Sequence, residues 1–124
     1  MSKTIDQSRY ILFGTRKRDG TMVDTPIWFA GQQGHYVAFS EGSAGKVKRL
    51  KNFSESRIAP CTVTGKALGD TVAANAELIT NAHDIAAAHN SLLEKYGWQM
   101  RCLDFFSRLA GKYPHRAFIK ITTT

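Results

Sequence analysis

The 124-residue chain is poor in the groups that most often announce a chemistry. It has two cysteines, Cys61 and Cys102, far apart and at no ligand spacing, which gives neither a disulfide framework nor a cysteine metal site. Two such thiols suit a reducing compartment and are expected in the core. No apolar run approaches the roughly 18 residues of a membrane-crossing helix. The start, Met1 to Gln7, lacks the apolar stretch of a signal peptide. A cytoplasmic protein without a membrane partner is therefore expected. His35, His83, His89 and His115 form no metal pattern; His83 and His89 are six apart, off the four-residue register of a two-ligand helix face. The carboxylates form no catalytic pair, so no catalytic residue and no metal ligand is singled out. Acids are scarce: ten Asp and Glu stand against seventeen Lys and Arg, a net charge of +7. That balance attracts anions, whether nucleic acid, acidic membrane or a phosphorylated small molecule.

What is present is a globular composition, 43% hydrophobic and 22% charged, at a length that fits one domain over residues 1–124. Tyr10 to Thr15 reads as a buried strand. Arg18-Asp19-Gly20-Thr21 is a hairpin turn. A second strand runs from Met22 to Ala30, and its Pro26 places that part at an edge or a bulge. Gly31-Gln32-Gln33-Gly34 is a second turn, and His35 to Ser40 a third strand. A short helix is expected over Lys46 to Asn52, then strands over Arg57 to Thr64 and Asp70 to Ile79. From Asn81 to Tyr96 the residues Ile85, Ala88, Leu92 and Tyr96 recur at helical spacing, with Asn81 as N-cap and Gly97 as stop. Gln99 to Leu109 repeats the pattern with Met100, Leu103, Phe106 and Leu109. Pro114 breaks the chain before a last strand, His115 to Thr122. The order is five strands, a helical insertion and a return strand. It predicts a mainly β fold, a six-stranded antiparallel split barrel that the last strand helps to close.

The densest chemical signal is Lys46-Val47-Lys48-Arg49-Leu50-Lys51, four cations in six residues after a glycine-containing loop. At a helix start, unpaired N–H groups and the helix dipole add to side-chain charge. Lys46 falls in the first turn and Arg49 shares its face, while Val47 and Leu50 anchor the other face. This suits one phosphate group; a solvated basic helix is the plainer reading. It is not a P-loop, because Val47 follows Lys46 and Ser40 stands where the first glycine belongs. In Thr25-Pro26-Ile27-Trp28-Phe29, proline leaves backbone groups without ladder partners and Trp28 offers an aromatic face. Such a strand can hydrogen-bond the rim of a planar heterocycle; a barrel edge with a core Trp is the plainer reading. Arg16-Lys17-Arg18 either solvates a turn or extends a basic groove along a polyanionic tail. A small basic barrel also suits nucleic acid. The strands, however, lack the interleaved aromatic and basic residues of a base-stacking surface, which argues against it.

In order, these segments are Thr15-Arg16-Lys17-Arg18-Asp19-Gly20, Thr25-Pro26-Ile27-Trp28-Phe29, Gly45-Lys46-Val47-Lys48-Arg49-Leu50-Lys51-Asn52, Ile58-Ala59-Pro60-Cys61 with Gly65, and Lys95-Tyr96-Gly97-Trp98. Together they resemble the pyridoxamine 5'-phosphate oxidase-like split β-barrel superfamily, and within it the short branch of deazaflavin (coenzyme F-420)-dependent reductases. The resemblance covers about Tyr10 to Ile121. It implies a homodimer with its cofactor, coenzyme F-420 or FMN, in a groove at the subunit interface, and hydride transfer to or from a small organic substrate. It implies that Lys46, Arg49 and Lys48 meet the cofactor phosphate with Ser40 nearby, and that Thr25, Pro26 and Trp28 line the ring. Ala44 stands where the family often has serine, with Ser43 displaced by one; Phe53 follows Asn52 where proline is frequent; Ala73 replaces a frequent glutamate. Authentic pyridoxamine phosphate oxidases carry a further C-terminal substrate segment, so that activity is not expected. The alternative is a non-catalytic protein that holds or sequesters a flavin or deazaflavin.

Overall fold

The computed structural model describes residues 4–42, 44–111 and 116–124. After a short 3-10 turn at Ile5–Gln7, the elements are β1 (Tyr10–Arg16), β2 (Met22–Gln32), β3 (His35–Glu41), α1 (Gly45–Asn52), β4 (Glu55–Cys61), β5 (Val72–Ile79), α2 (Ala82–Tyr96), α3 (Trp98–Leu109) and β6 (Arg116–Thr123). All strand pairs are antiparallel, and the strands close a barrel in the order β1-β2-β3-β6-β5-β4. The last strand closes the barrel, as expected, and does so by pairing with β3 and β5. The expectations placed on Ser43, Pro114 and His115 lie outside the described residues.

Alternation along the strands decides what fills the barrel. Phe13 stands opposite Thr25 on β2 and Ile58 on β4, and Ile11 opposite Ile27 and Pro60. Directly opposed residues share a face. Ile11, Phe13, Ile27, Phe29, Tyr36, Ala38, Ile58, Ile119 and Ile121 therefore make one buried core, with Leu50 of α1 inserted at its end. The hairpins are set by turn residues: Gln33 and Gly34 take φ of 54° and 85°, the pair of positive values that a two-residue turn between twisted strands requires.

A second core lies outside the barrel, where α2 and α3 cover β2, β3 and β6. Ala88, Leu92 and Tyr96 descend from α2 at four-residue spacing onto Ala30 and Phe118, with Met100 from α3 and half-buried Trp28 and Phe39 beside them. Asn81 caps α2, its Oδ1 accepting from the N–H of His83 at 2.7 Å and of Asp84 at 3.4 Å.

Four expectations change. β4 ends at Cys61, not Thr64, because the Thr62 hydroxyl accepts the Lys66 N–H at 3.0 Å and turns the chain. β5 correspondingly starts at Val72. Of the expected apolar stripe on α3, Met100 is buried but Phe106 and Leu109 face outward. The side that α3 buries includes Asp104, whose charge is paired with Arg116 at 2.6 Å. Cys61 is buried, whereas Cys102 is exposed on that outward side of α3.

Candidate functional site

Helix α1 lies across the barrel end where β1 and β3 finish and β2 begins. Val47 and Leu50 are buried and fix its rotation, which turns Lys46 and Arg49 to one side and leaves Lys48 exposed. At its start Ala44 occupies the N-cap without a side-chain bond, and the first turn holds no acid. A helix in that state presents donors and a positive dipole end to an anion.

Arg49 is folded back over this start. Its Nε donates to Thr15 Oγ1 at 2.6 Å, and Thr15 is fully buried at the end of β1. A Cβ on Gly45 would stand 2.8 Å from Arg49 Nη1, so the missing side chain leaves the room the guanidinium occupies. Lys46 is half-buried beside it; burial first, and the charge of Arg49 second, push its ammonium below the usual lysine range. Two cations held together against their own repulsion make a site that an anion stabilises.

The Arg16-Lys17-Arg18 run meets α1 in a cavity of about 190 Å³ whose walls are those three cations, Lys48, Arg49, Asn52 and Phe53. Arg16 stacks over Phe53 at 4.6 Å and approaches Glu55 at 3.8 Å, which leaves it at the rim. Larger hollows of about 360 and 440 Å³ lie beneath α2; their walls mix both charges or are largely apolar, so they lack the concentrated positive field of the α1 cavity.

The other expected residues divide. Thr25 faces the barrel interior opposite Phe13, and its Oγ1 is buried without a partner among the described residues, as is Ser56 Oγ. Ser40 is the last residue but one of β3, opposite Ala117, at the same end of the barrel as α1. Pro26 is exposed on the outer face, in the half of β2 that pairs with β1 alone; the ladder to β3 begins at Phe29. This is an edge, as proline requires. Trp28 is half-buried, and one face of its ring is taken. Its indole stacks on the Tyr96 ring at 4.4 Å and 9°, with Phe39 edge-on at 6.5 Å.

The sequence reading missed the groups that set these positions. Thr15 is the polar member of the interior-facing set on β1, a signal visible in Tyr-Ile-Leu-Phe-Gly-Thr once parity is known. Tyr96 pins β2 from outside: its hydroxyl accepts the Phe29 N–H at 3.0 Å and lies 2.6 Å from Arg9 O and 2.9 Å from Phe29 O. Burial pushes that phenol up to about 12. Beside it Lys95 donates to Ser8 O at 2.9 Å and sits 3.3 Å above the Phe29 ring. Burial and nearby Arg9 bring its ammonium down to about 8.

Neither a family model nor a curated protein matches the chain. Solved structures do. The heme storage protein HutZ of Vibrio cholerae superposes with a TM-score of 0.71 at 12% identity, over 95% of this chain and 83% of HutZ. A provisionally named pyridoxamine 5'-phosphate oxidase of Listeria innocua gives 0.61 at 11% identity, over 94% and 85%. An F-420 reductase gives 0.61 at 12% identity, over 98% and 90%. The likeness at these identities is one of fold.

Proposed function

We propose that this chain, whose fold is that of the pyridoxamine-phosphate-oxidase-like split barrels, is an oxidoreductase that binds a phosphorylated flavin-type cofactor, coenzyme F-420 or FMN, with the phosphate at the start of α1. The observation that carries the reading is Arg49, held by Thr15 and accommodated by Gly45 over an uncapped helix start. Lys46 supplies the second charge, and Lys48 with Arg16, Lys17 and Arg18 extends the positive wall. An acidic deazaflavin tail uses that wall more fully than FMN does. The residues present fit a phosphate: two adjacent cations, a helix start whose N-cap Ala44 makes no side-chain bond, and no first-turn acid to repel it.

For the ring, the half of β2 around Thr25 and Pro26 offers main-chain groups on the side away from β1. Trp28 supports that strand through its stack on Tyr96. A bound ring of either kind supplies hydride transfer to or from a small organic substrate. The chain's own part is to hold the phosphate, orient the ring along β2 and exclude water.

The cavity at α1, about 190 Å³, is below the ~300 Å³ at which pockets for whole cofactors begin. Its walls come from Arg16 to Arg18 and from Lys48, Arg49, Asn52 and Phe53, not from Lys46, so it adjoins the start of α1 through Arg49 and does not hold a whole cofactor, which favours a homodimer whose second protomer completes the groove. We place this unit in the cytoplasm; no described helix is long and apolar enough to cross a membrane.

A second reading, binding without turnover, is supported by the cavity lining, which carries cations, Asn52 and Phe53 but neither carboxylate nor imidazole. The fold likeness to a heme storage protein is consistent with it. Titration of FMN and of coenzyme F-420, followed by cofactor fluorescence, tests binding. Saturation with one of them is expected, and no saturable change with either overturns the proposal. Oxidation of reduced cofactor by enones and quinones then separates an enzyme from a carrier.

A further inference from the structure

We propose that the outward face of α3 docks this protein on an anionic phospholipid bilayer. Four large apolar side chains of this 12-residue helix stand in solvent: Trp98 at 72% exposure, Phe105 at 59%, Phe106 at 64% and Leu109 at 73%. At about 100° per residue they share one arc with Cys102, opposite buried Met100. An apolar arc turned away from the core, on a helix about 18 Å long, is the geometry of a helix lying in a membrane interface.

Charge selects the occupant. Asp104 is the one acid of α3, and it is turned inward, held by Arg116 at 2.6 Å and by His89 at 2.8 Å. The outward face therefore carries positive charge alone. Arg101 and Arg108 are exposed along one border of the arc. Near the other border Arg9 is fixed by Gln99 Oε1 at 2.6 Å. Cations flanking a stripe of Trp, Phe and Leu, on a chain of net charge +7, complement anionic headgroups above an apolar layer. A second copy of α3 offers those arginines no exposed acid. The helix is too short to span, so the contact is peripheral, and the proposal departs from the expectation that the chain has no membrane partner.

The test is sedimentation of the full chain with vesicles of phosphatidylcholine, with and without phosphatidylglycerol. Binding to the anionic vesicles alone is expected, with a blue shift of tryptophan emission that Trp98→Phe removes. The triple variant Trp98→Ser, Phe106→Ser, Leu109→Ser, which changes only exposed side chains, is expected to stay in solution with an unchanged circular dichroism spectrum. Arg101→Glu is expected to weaken binding to anionic vesicles on the order of tenfold. Wild-type protein that ignores anionic vesicles overturns the proposal. So does a wild-type dimer that the triple variant converts to monomer, since the face then pairs two copies. These outcomes do not depend on the cofactor.

Discussion

Arg57 on β4 and Asp24 on β2 form a bidentate ion pair, Nε to Oδ1 at 3.0 Å and Nη2 to Oδ2 at 2.6 Å, that passes over Gly14 of the strand between them. Gly14 is opposite both residues in register, and a Cβ there would strike Asp24 Oδ1 and stand 2.8 Å from Arg57 Cγ. The pair is partly exposed and itself contributes about 0–1 kcal/mol. Gly14→Ala is expected to cost more, about 1–3 kcal/mol, because it crowds a filled position. Urea denaturation checks this. In a background of Asp24→Ala and Arg57→Ala the same glycine change should be nearly neutral; an equal cost in both backgrounds would show that the crossing is not the constraint.

Gly45 separates affinity from stability in the same way. Gly45→Ala places a methyl where Arg49 Nη1 now lies and removes no charge. The displaced atom ends a flexible side chain and alanine is the better helix former, so stability should hold or rise by up to about 1 kcal/mol. Cofactor affinity should fall toward that of Arg49→Ala, a loss of about 1.5–3 kcal/mol for a charged hydrogen bond. Parallel titration and thermal melts of the two variants check the split.

Lys95 makes stability depend on alkaline pH. Its ammonium titrates at about 8 in the folded chain against 10.5 for an ordinary lysine. Between those values the unfolded chain binds more protons, so this group's contribution rises with pH across about 8 to 10.5 and its cost is fullest below 8. Burial raises the Cys61 thiol and the Tyr36 and Tyr96 phenols, which acts oppositely from about pH 9 upward. The readout is therefore the difference in Tm between wild type and Lys95→Met at pH 7.5, 8.5 and 9.5. Wild type should gain on the variant as pH rises; a constant difference would sink the assignment.

Tyr96→Phe keeps the stack on Trp28 and deletes the hydroxyl that bridges Phe29 and Arg9. A buried hydrogen-bond group left without its partner costs about 1–3 kcal/mol. Denaturation should show that loss while near-ultraviolet circular dichroism of the Trp28 site is retained.

Strand order, both long helices and the basic turn were legible because each is written in local periodicity. Val47 and Leu50 show it best: their spacing alone assigned the buried face of α1, and both are buried. The face of α3 was not legible. Its apolar residues lie on both sides, and the side that packs includes Asp104, whose partner Arg116 lies on another element. The clasp between Arg49 and Thr15 spans 34 residues, and the crossing at Gly14 needs the registers of three strands at once. Register is fixed by closure of the barrel, and no local pattern of residues contains it.

The central claim is that the start of α1 holds a phosphate, and paired titration with FMN and riboflavin tests it most directly, since the two differ only in that group. FMN should bind at least about tenfold more tightly to wild type, the equivalent of one charged hydrogen bond, and Lys46→Ala with Arg49→Ala should bring the two ligands level. Equal affinities in wild type, or an FMN preference that survives both substitutions, would contradict it.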